Sequence, residues 1–136
     1  MTKNGAVLLV DCHSMPSSAL AHLQPPVAVD VVLGDRFGAS CDEDLTRYME
    51  ELLAGHGLRV LRNKPYAGGF ITHSHGAPLK GRHALQIEVN RALYLNETTL
   101  EKSKGFGPLR NTLTAVTAKL LAEVEGLFAP RKLAAE

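Results

Sequence analysis

The succession of strand, helix and strand between residues 27 and 63 constrains the fold of this chain more than any other feature of its sequence. Val27 to Leu33 is an apolar, β-branched run, and Leu58 to Asn63 alternates apolar with polar residues, so both segments are predicted to be strands. Cys41 to Gly55 is predicted to be a helix, which Ser40 or Asp42 can cap. A helix between two strands favours a βαβ unit with a right-handed crossover.

A second apolar run, Ala6 to Val10, predicts a strand buried on both faces at the centre of a sheet. Polar residues follow it directly, and open α/β sheets place ligands at the carboxyl ends of such strands. Asp11 and His13 would point to the same side if the strand geometry continues. The carboxylate would then orient the imidazole, as it does for many metal-bound histidines. A hydrogen-bonded histidine without a functional role is the alternative.

Gly81 to Arg91 alternates between apolar and polar residues, which is the period of a strand. Gln86, Glu88 and Asn90 share one side of this predicted strand. A carboxylate in an apolar strand has its ionised form disfavoured unless a partner compensates, so Glu88 suits a general base. Two plainer interpretations stay open: the polar side is solvated, or Arg91 is a structural partner of Glu88.

Length and composition predict a single domain over residues 1–136. A formal net charge of +1, with scattered basic residues, argues against a nucleic-acid partner. No apolar run is long enough to span a membrane, and no export signal is visible. Cys12 and Cys41 are therefore expected to be free thiols of a cytoplasmic protein.

Cysteine chemistry and a histidine pair are weaker alternatives for the function. Cys12 or Cys41, with His13 or His83 as base, would make a cysteine hydrolase, but the sequence shows no cluster that would stabilise a thiolate. His73 and the histidine two residues later could chelate a metal, although this spacing in a glycine-rich loop is a weak signal.

Four ordered blocks of the sequence resemble the N-formylglutamate amidohydrolase (deformylase) family. They are Val-Asp-Cys-His-Ser-Met-Pro-Ser from Val10, Leu-Gly-Asp-Arg-Phe-Gly-Ala-Ser-Cys from Leu33, Asn-Lys-Pro-Tyr-Ala-Gly-Gly from Asn63, and Gly-Arg-His-Ala-Leu-Gln-Ile-Glu-Val-Asn-Arg-Ala-Leu-Tyr from Gly81. The resemblance implies an α/β fold of the zinc-carboxypeptidase-like, phosphorylase/hydrolase-like type: a mixed, largely parallel central sheet flanked by helices. It also implies hydrolysis of an N-formyl or N-acyl acidic amino acid, such as N-formyl-L-glutamate to formate and L-glutamate, as in histidine catabolism.

The resemblance also implies roles for individual residues. His13 would be a ligand of one Zn²⁺ ion, and Glu88 would be the general base that activates a zinc-bound water. Arginines suit the carboxylates of an acidic substrate because they bind them in a bidentate manner. The candidates for substrate binding are Arg36 and Arg91, with Asn63, Tyr66 and His83 as weaker ones.

The sequence departs from the family in one respect, because it resembles only the C-terminal half of the family's domain. Catalytic zinc normally has three protein ligands, yet no histidine here is followed three residues later by a glutamate. Three explanations stay open: the chain is a truncated open reading frame, or the other ligands come from a complementing chain or a homo-oligomer, or the chain is an inactive remnant. Such a remnant would bind an acidic small molecule or a partner subunit. The fold is accordingly expected to be incomplete, and an exposed sheet edge would favour oligomerisation.

Overall fold

A computed structural model describes residues 5–128 of the chain. The strands of this part are β1 (Val7–Met15), β2 (Val31–Gly34), β3 (Val60–Arg62) and β4 (Arg82–Asn90). The α-helices are α1 (Glu43–Gly55), α2 (Phe70–His75) and α3 (Phe106–Leu127). Short 3-10 helices span Ser17–Leu20, Pro78–Lys80 and Arg91–Leu93. No helix within the described range is both long and apolar enough to cross a membrane.

The strands form one sheet in the order β1-β4-β2-β3. β1 runs parallel to β4 and β2 runs parallel to β3, whereas β2 and β4 are antiparallel. With helices packed on the sheet, this confirms the predicted α/β fold with a mixed, largely parallel sheet.

The prediction that the first apolar run forms a central strand is wrong. β1 lies at the edge of the described sheet, and the side chains of Val7 and Leu9 remain 40% and 38% exposed. β1 also continues through Asp11 to Met15, which the sequence placed after the strand. A continuous apolar run shows that both faces of a strand can be buried, but it carries no information on how many strands pair with it.

The βαβ unit forms as predicted, with β2 and β3 parallel on either side of α1 in sequence. The side chain of Asp42 caps α1 by accepting a hydrogen bond from the backbone N–H of Asp44 at 2.9 Å. β2 is shorter than expected, because ladder pairing with β3 and β4 begins only at Val31. Val27 is half exposed.

Two helices cover one face of the sheet, and smaller elements cover the other. α1 and α3 bury the main core, in which Leu33 and Leu85 contribute from the sheet and Leu53 from α1. A smaller cluster on the opposite face contains Met15 and Val32. The helix α2, in a region that the sequence predicted to be loop-rich, packs against β4 and β1.

Candidate active site

The register between β1 and β4 brings the two central predicted residues side by side. Asp11 is paired with Gln86, and His13 is paired with Glu88. Paired residues of neighbouring strands point to the same face, and the strands lie about 4.8 Å apart. The side chains of Asp11, His13, Gln86 and Glu88 therefore share one face of the sheet, opposite to α1 and α3, which we call the polar face.

The imidazole of His13 is oriented by Asp11, as the sequence predicted. Nε2 of His13 lies 2.9 Å from Oδ1 of Asp11. The side chain of His13 is half exposed, whereas that of Asp11 is mostly buried. Within residues 5–128, Nδ1 of His13 has no hydrogen-bond partner, so this nitrogen is accessible to a ligand on the polar face.

Two linked hydrogen bonds, which run from Gly69 through Gln86, hold the carboxylate of Glu88 in place. The backbone N–H of Gly69 donates to Oε1 of Gln86 at 2.7 Å, and Nε2 of Gln86 donates to Oε1 of Glu88 at 2.6 Å. Because a backbone N–H can only donate, it fixes which end of the Gln86 amide faces Glu88. Glu88 itself is 7% exposed, so its carboxylate is held in one orientation with little competing water.

A glycine in β2 allows the loop before α2 to reach Gln86. Gly34 is paired with Gln86 in the sheet. A Cβ atom on Gly34 would lie 2.7 Å from the carbonyl carbon of Ala67 and 2.7 Å from the nitrogen of Gly68. Any side chain at this position would push the loop away. The sequence gave no signal for the contact between Gly69 and Gln86.

The turn after β2 is held in an unusual backbone conformation by Asn63. Arg36, Phe37 and Asn63 have left-handed φ angles of 54°, 55° and 59°. Nδ2 of Asn63 donates to Oδ1 of the buried Asp35 at 2.8 Å, and Oδ1 of Asn63 accepts from the N–H of Asp35 at 3.1 Å. Strained backbone of this kind persists only where the surroundings over-determine it. Asn63 therefore stabilises this turn, and its side-chain amide is already hydrogen-bonded to Asp35.

Arg36 lies in this turn, next to the loop before α2. Its N–H donates to the carbonyl of Ala67 at 2.7 Å, and a Cβ on Gly68 would lie 3.1 Å from its Cγ. Its side chain thus packs on the loop that also contacts Gln86. Among the described residues its guanidinium has no hydrogen bond or ion pair, which leaves it available to an anion.

Arg91 follows β4 and is bound to β1. Its Nε and Nη2 lie 3.2 Å from the hydroxyl and the carbonyl oxygen of Ser14, so it ties the ends of the two strands together. Next to it, Ser17 donates two hydrogen bonds to Glu97. These bonds, together with the charge of Arg91, lower the pKa of Glu97. No bond of Arg91 to Glu88 occurs within the described residues, so the two do not form the structural pair considered above.

Of the two weaker predicted substrate contacts that remain, His83 lies apart from the polar face. His83 is on the opposite side of β4, where its Nδ1 accepts from the N–H of Asp42 at 3.2 Å and its ring stacks on Phe128. Burial lowers the pKa of His83, and the charge of Asp42 partly offsets this. Tyr66 lies in the loop before α2 and is 39% exposed. Their roles in substrate binding stay predictions.

The cysteines have environments that disfavour a nucleophilic thiolate. Burial raises the pKa of Cys41 to about 11. Burial also raises the pKa of Cys12, and the negative charge of Asp11 adds to this effect. A catalytic cysteine needs a lowered thiol pKa, so that the thiolate is present at neutral pH.

The residues of the polar face do not complete a zinc site by themselves. Between residues 5 and 128, no three or more His, Cys, Asp or Glu side chains are grouped closely enough to hold a metal ion. A catalytic zinc takes three protein ligands. His13 could supply one of them, and the others would have to come from outside the described residues.

Comparison with known proteins points to one family. A family model described as N-formylglutamate amidohydrolase matches residues 1–95. The N-formylglutamate deformylases of Pseudomonas putida and Pseudomonas aeruginosa are 37% and 36% identical to this chain over 95 and 94 residues. These matches cover 69% and 68% of this chain and 35% of each relative, so the chain spans about a third of the length of the curated relatives it matches.

A solved structure is also similar to the fold described above. The crystal structure of N-formylglutamate amidohydrolase from Ralstonia eutropha JMP134 has 38% sequence identity and a TM-score of 0.84. The similarity covers 89% of this chain and 44% of that chain.

Proposed function

The chain belongs to the N-formylglutamate amidohydrolase family, and we propose that it contributes Glu88 as general base to the hydrolysis of N-formyl-L-glutamate, or another N-acyl acidic amino acid. The products from N-formyl-L-glutamate would be formate and L-glutamate. The observation that carries this proposal is the pairing of His13 with Glu88 across two parallel strands. The names of the relatives support the reaction and substrate class. A cytoplasmic role in histidine catabolism belongs to the same proposal.

Glu88 would act first on water and then on the leaving group. Its carboxylate accepts a proton from the water whose oxygen attacks the carbonyl carbon of the formyl group. The same carboxyl group then donates this proton to the amide nitrogen as the C–N bond breaks. Gln86 donates to Oε1 of Glu88, so Oε2 would be the oxygen that accepts the proton from water.

Recognition of an acidic substrate would come mainly from Arg36. Its guanidinium has no partner among the described residues, and a planar guanidinium binds a carboxylate through two parallel hydrogen bonds. Arg91 is a second candidate, with two of its nitrogens already bound to Ser14. Asn63 would act indirectly, by holding the turn that presents Arg36.

Zinc dependence is part of the proposal, with Nδ1 of His13 as one ligand. Zinc, if held there, would polarise the scissile carbonyl and lower the pKa of the attacking water. The described residues do not supply the other ligands, so the steps assigned to Glu88 above are those that this chain's own side chains can perform.

The proposal is tested by measuring formate release from N-formyl-L-glutamate with added zinc and with a chelator. We expect release to depend on zinc and to be lost in Glu88→Gln. Glu51→Gln, on the exposed side of α1, is the control and should behave as the unmodified chain. Formate release that survives both chelation and Glu88→Gln would contradict the mechanism.

A non-catalytic binding function is the second candidate, favoured by the missing metal ligands. In that case the folded chain would bind N-formyl-L-glutamate in titration calorimetry without releasing formate, and it would bind no zinc at micromolar concentrations. Arg36→Gln should remove this binding under either function, because the substrate carboxylate is recognised in both.

A further inference from the structure

The loop before α2 has almost no side chains of its own to hold it in place. Its segment Ala67-Gly68-Gly69 carries a single methyl group. Gly69 lies exposed, yet its N–H donates to Gln86 at 2.7 Å. Its carbonyl accepts from the hydroxyl of Thr72 in α2 at 2.9 Å. The position of the Gly69 N–H therefore depends on what the backbone on either side of it contacts.

Arg36 supplies the contacts on the side of the loop that precedes Gly69. Its N–H donates to the carbonyl of Ala67 at 2.7 Å, and its Cγ packs on Gly68. The turn that contains Arg36 is fixed separately, because Asn63 is hydrogen-bonded to the buried Asp35. The loop thus rests on a turn whose own conformation does not depend on the loop.

The same loop reaches the proposed general base through Gln86. While the Gly69 N–H donates to Oε1 of Gln86, Nε2 of Gln86 faces Glu88 and donates to it. If the bond from Gly69 opens, the amide of Gln86 is free to turn, and Glu88 loses the donor that orients it. The bond between Gly69 and Gln86 is therefore an element with two states, open and closed, to which Arg36 and Glu88 are both linked.

We propose that residues 67–69 couple Arg36 to Glu88, so that an anion bound by the guanidinium of Arg36 also keeps the base oriented. A bound carboxylate restricts the side chain of Arg36, which holds its Cγ on Gly68 and favours the closed bond between Gly69 and Gln86. An acidic substrate is then favoured in binding and again in catalysis. The identity of the anion rests on the proposed function, whereas the coupling through the loop does not.

Amide hydrogen exchange of the full chain, followed by NMR, tests the coupling without any ligand. The exchange rate of the Gly69 N–H reports how often its bond to Gln86 opens. Arg36→Ala removes Cγ, whereas Arg36→Gln keeps Cγ and removes only the guanidinium, and both keep the N–H that donates to Ala67. We expect Arg36→Ala to speed the exchange of Gly69 about fourfold, the effect of losing one packed methylene. Arg36→Gln should leave it unchanged.

Two controls accompany this comparison. Arg110→Ala removes an exposed arginine of α3, and it should leave the exchange of Gly69 as it is in the unmodified chain. The N–H of Leu85, a fully buried residue of β4, shows whether a variant keeps the fold, since a general loss of structure would speed its exchange as well.

A second measurement adds N-formyl-L-glutamate at saturation, with a chelator present to prevent zinc-dependent hydrolysis. We expect it to slow the exchange of Gly69 about fivefold or more in the unmodified chain. Because coupling between two sites is reciprocal, Gln86→Leu should weaken the binding of N-formyl-L-glutamate in titration calorimetry by about the same factor. Gln24→Leu, at an exposed glutamine, is the matched control and should bind as the unmodified chain does.

The outcomes separate the coupling from the proposed function. Equal exchange of Gly69 in Arg36→Ala and Arg36→Gln overturns the coupling. N-formyl-L-glutamate that binds without slowing this exchange, or that binds Gln86→Leu as tightly as the unmodified chain, overturns it too, and these two results decide if Arg36→Ala loses its fold. Failure of N-formyl-L-glutamate to bind contradicts the proposed function, and the two Arg36 variants then decide the coupling by themselves.

Discussion

Replacement of Asn63 tests whether its contacts hold the turn that presents Arg36. Alanine at this position removes the bond to the carboxylate of Asp35 and the bond from the N–H of Asp35, both around a residue that is 2% exposed. It also removes a longer bond, of 3.4 Å, from the N–H of Phe37. Glycine removes the same three bonds. The two substitutions differ in the backbone, because Asn63 has a φ of 59°, which glycine adopts without strain and alanine does not.

The expected loss of stability follows from the lost hydrogen bonds and from the backbone strain. A hydrogen bond to a charged group contributes about 1.5–3 kcal/mol, and a neutral one about 1 kcal/mol. Asn63→Gly should therefore reduce the free energy of unfolding by about 3 kcal/mol. The left-handed backbone adds about 1 kcal/mol for alanine, so Asn63→Ala should lose about 4 kcal/mol. For a domain of this size, each 1 kcal/mol corresponds to a fall in melting temperature of about 4 °C.

Urea unfolding followed by circular dichroism measures both variants, and unchanged slopes with denaturant would show that the comparison is valid. Asn96→Ala is the control, since Asn96 accepts only local bonds in an exposed turn, and it should lose about 1 kcal/mol or less. Losses below 0.5 kcal/mol for both Asn63 variants, or a glycine variant less stable than the alanine variant, would refute the reasoning.

Three further predictions concern the base, the core and the pH dependence of stability. Glu88→Gln should lower kcat for formate release by about 100-fold or more with little change in KM, which steady-state kinetics with added zinc would measure; an unchanged kcat would contradict the role of Glu88. Leu85→Ala, at a fully buried position, should cost about 3–4 kcal/mol in urea unfolding, whereas Leu79→Ala, at a fully exposed one, should stay within about 0.5 kcal/mol. Burial lowers the pKa of His83, so the unfolded chain binds the proton more readily and stability should fall as pH drops below about 6.5 toward the lowered pKa. His83→Asn, whose oxygen can still accept from Asp42, should flatten the difference in urea midpoint between pH 7.5 and pH 5.5; an unchanged difference would contradict this assignment.

Local features of the chain were predictable because their causes lie close together in the sequence. The cap of α1 needs only Asp42 and the backbone two residues later, and the apolar face of α1 needs only the helical period. The alternation in β4 places Glu88 and Gln86 on one side for the same reason. The orientation of His13 by Asp11 likewise depends on two residues of one strand.

Contacts between distant segments were not predictable from such patterns. The sequence did not indicate that the N–H of Gly69 donates to Gln86 or that the amide of Asn63 donates to Asp35. Both hydrogen bonds depend on how a loop returns to the sheet. His83, a predicted substrate contact, lies on the face of β4 opposite to Glu88, and its role in substrate binding stays a prediction. His83 and Glu88 are an odd number of residues apart in one strand, so strand alternation already places their side chains on opposite faces.

By itself, the sequence determined the family, the βαβ unit and the side chains that each strand offers to each face, because these depend on residue type and local period. Only the tertiary structure decided the order of the strands, which places β1 at the edge, and the register, which sets His13 beside Glu88. Strand order and register arise from pairing between segments that are 29 to 75 residues apart in the sequence. No period within a single segment encodes which partner it meets or at which residue.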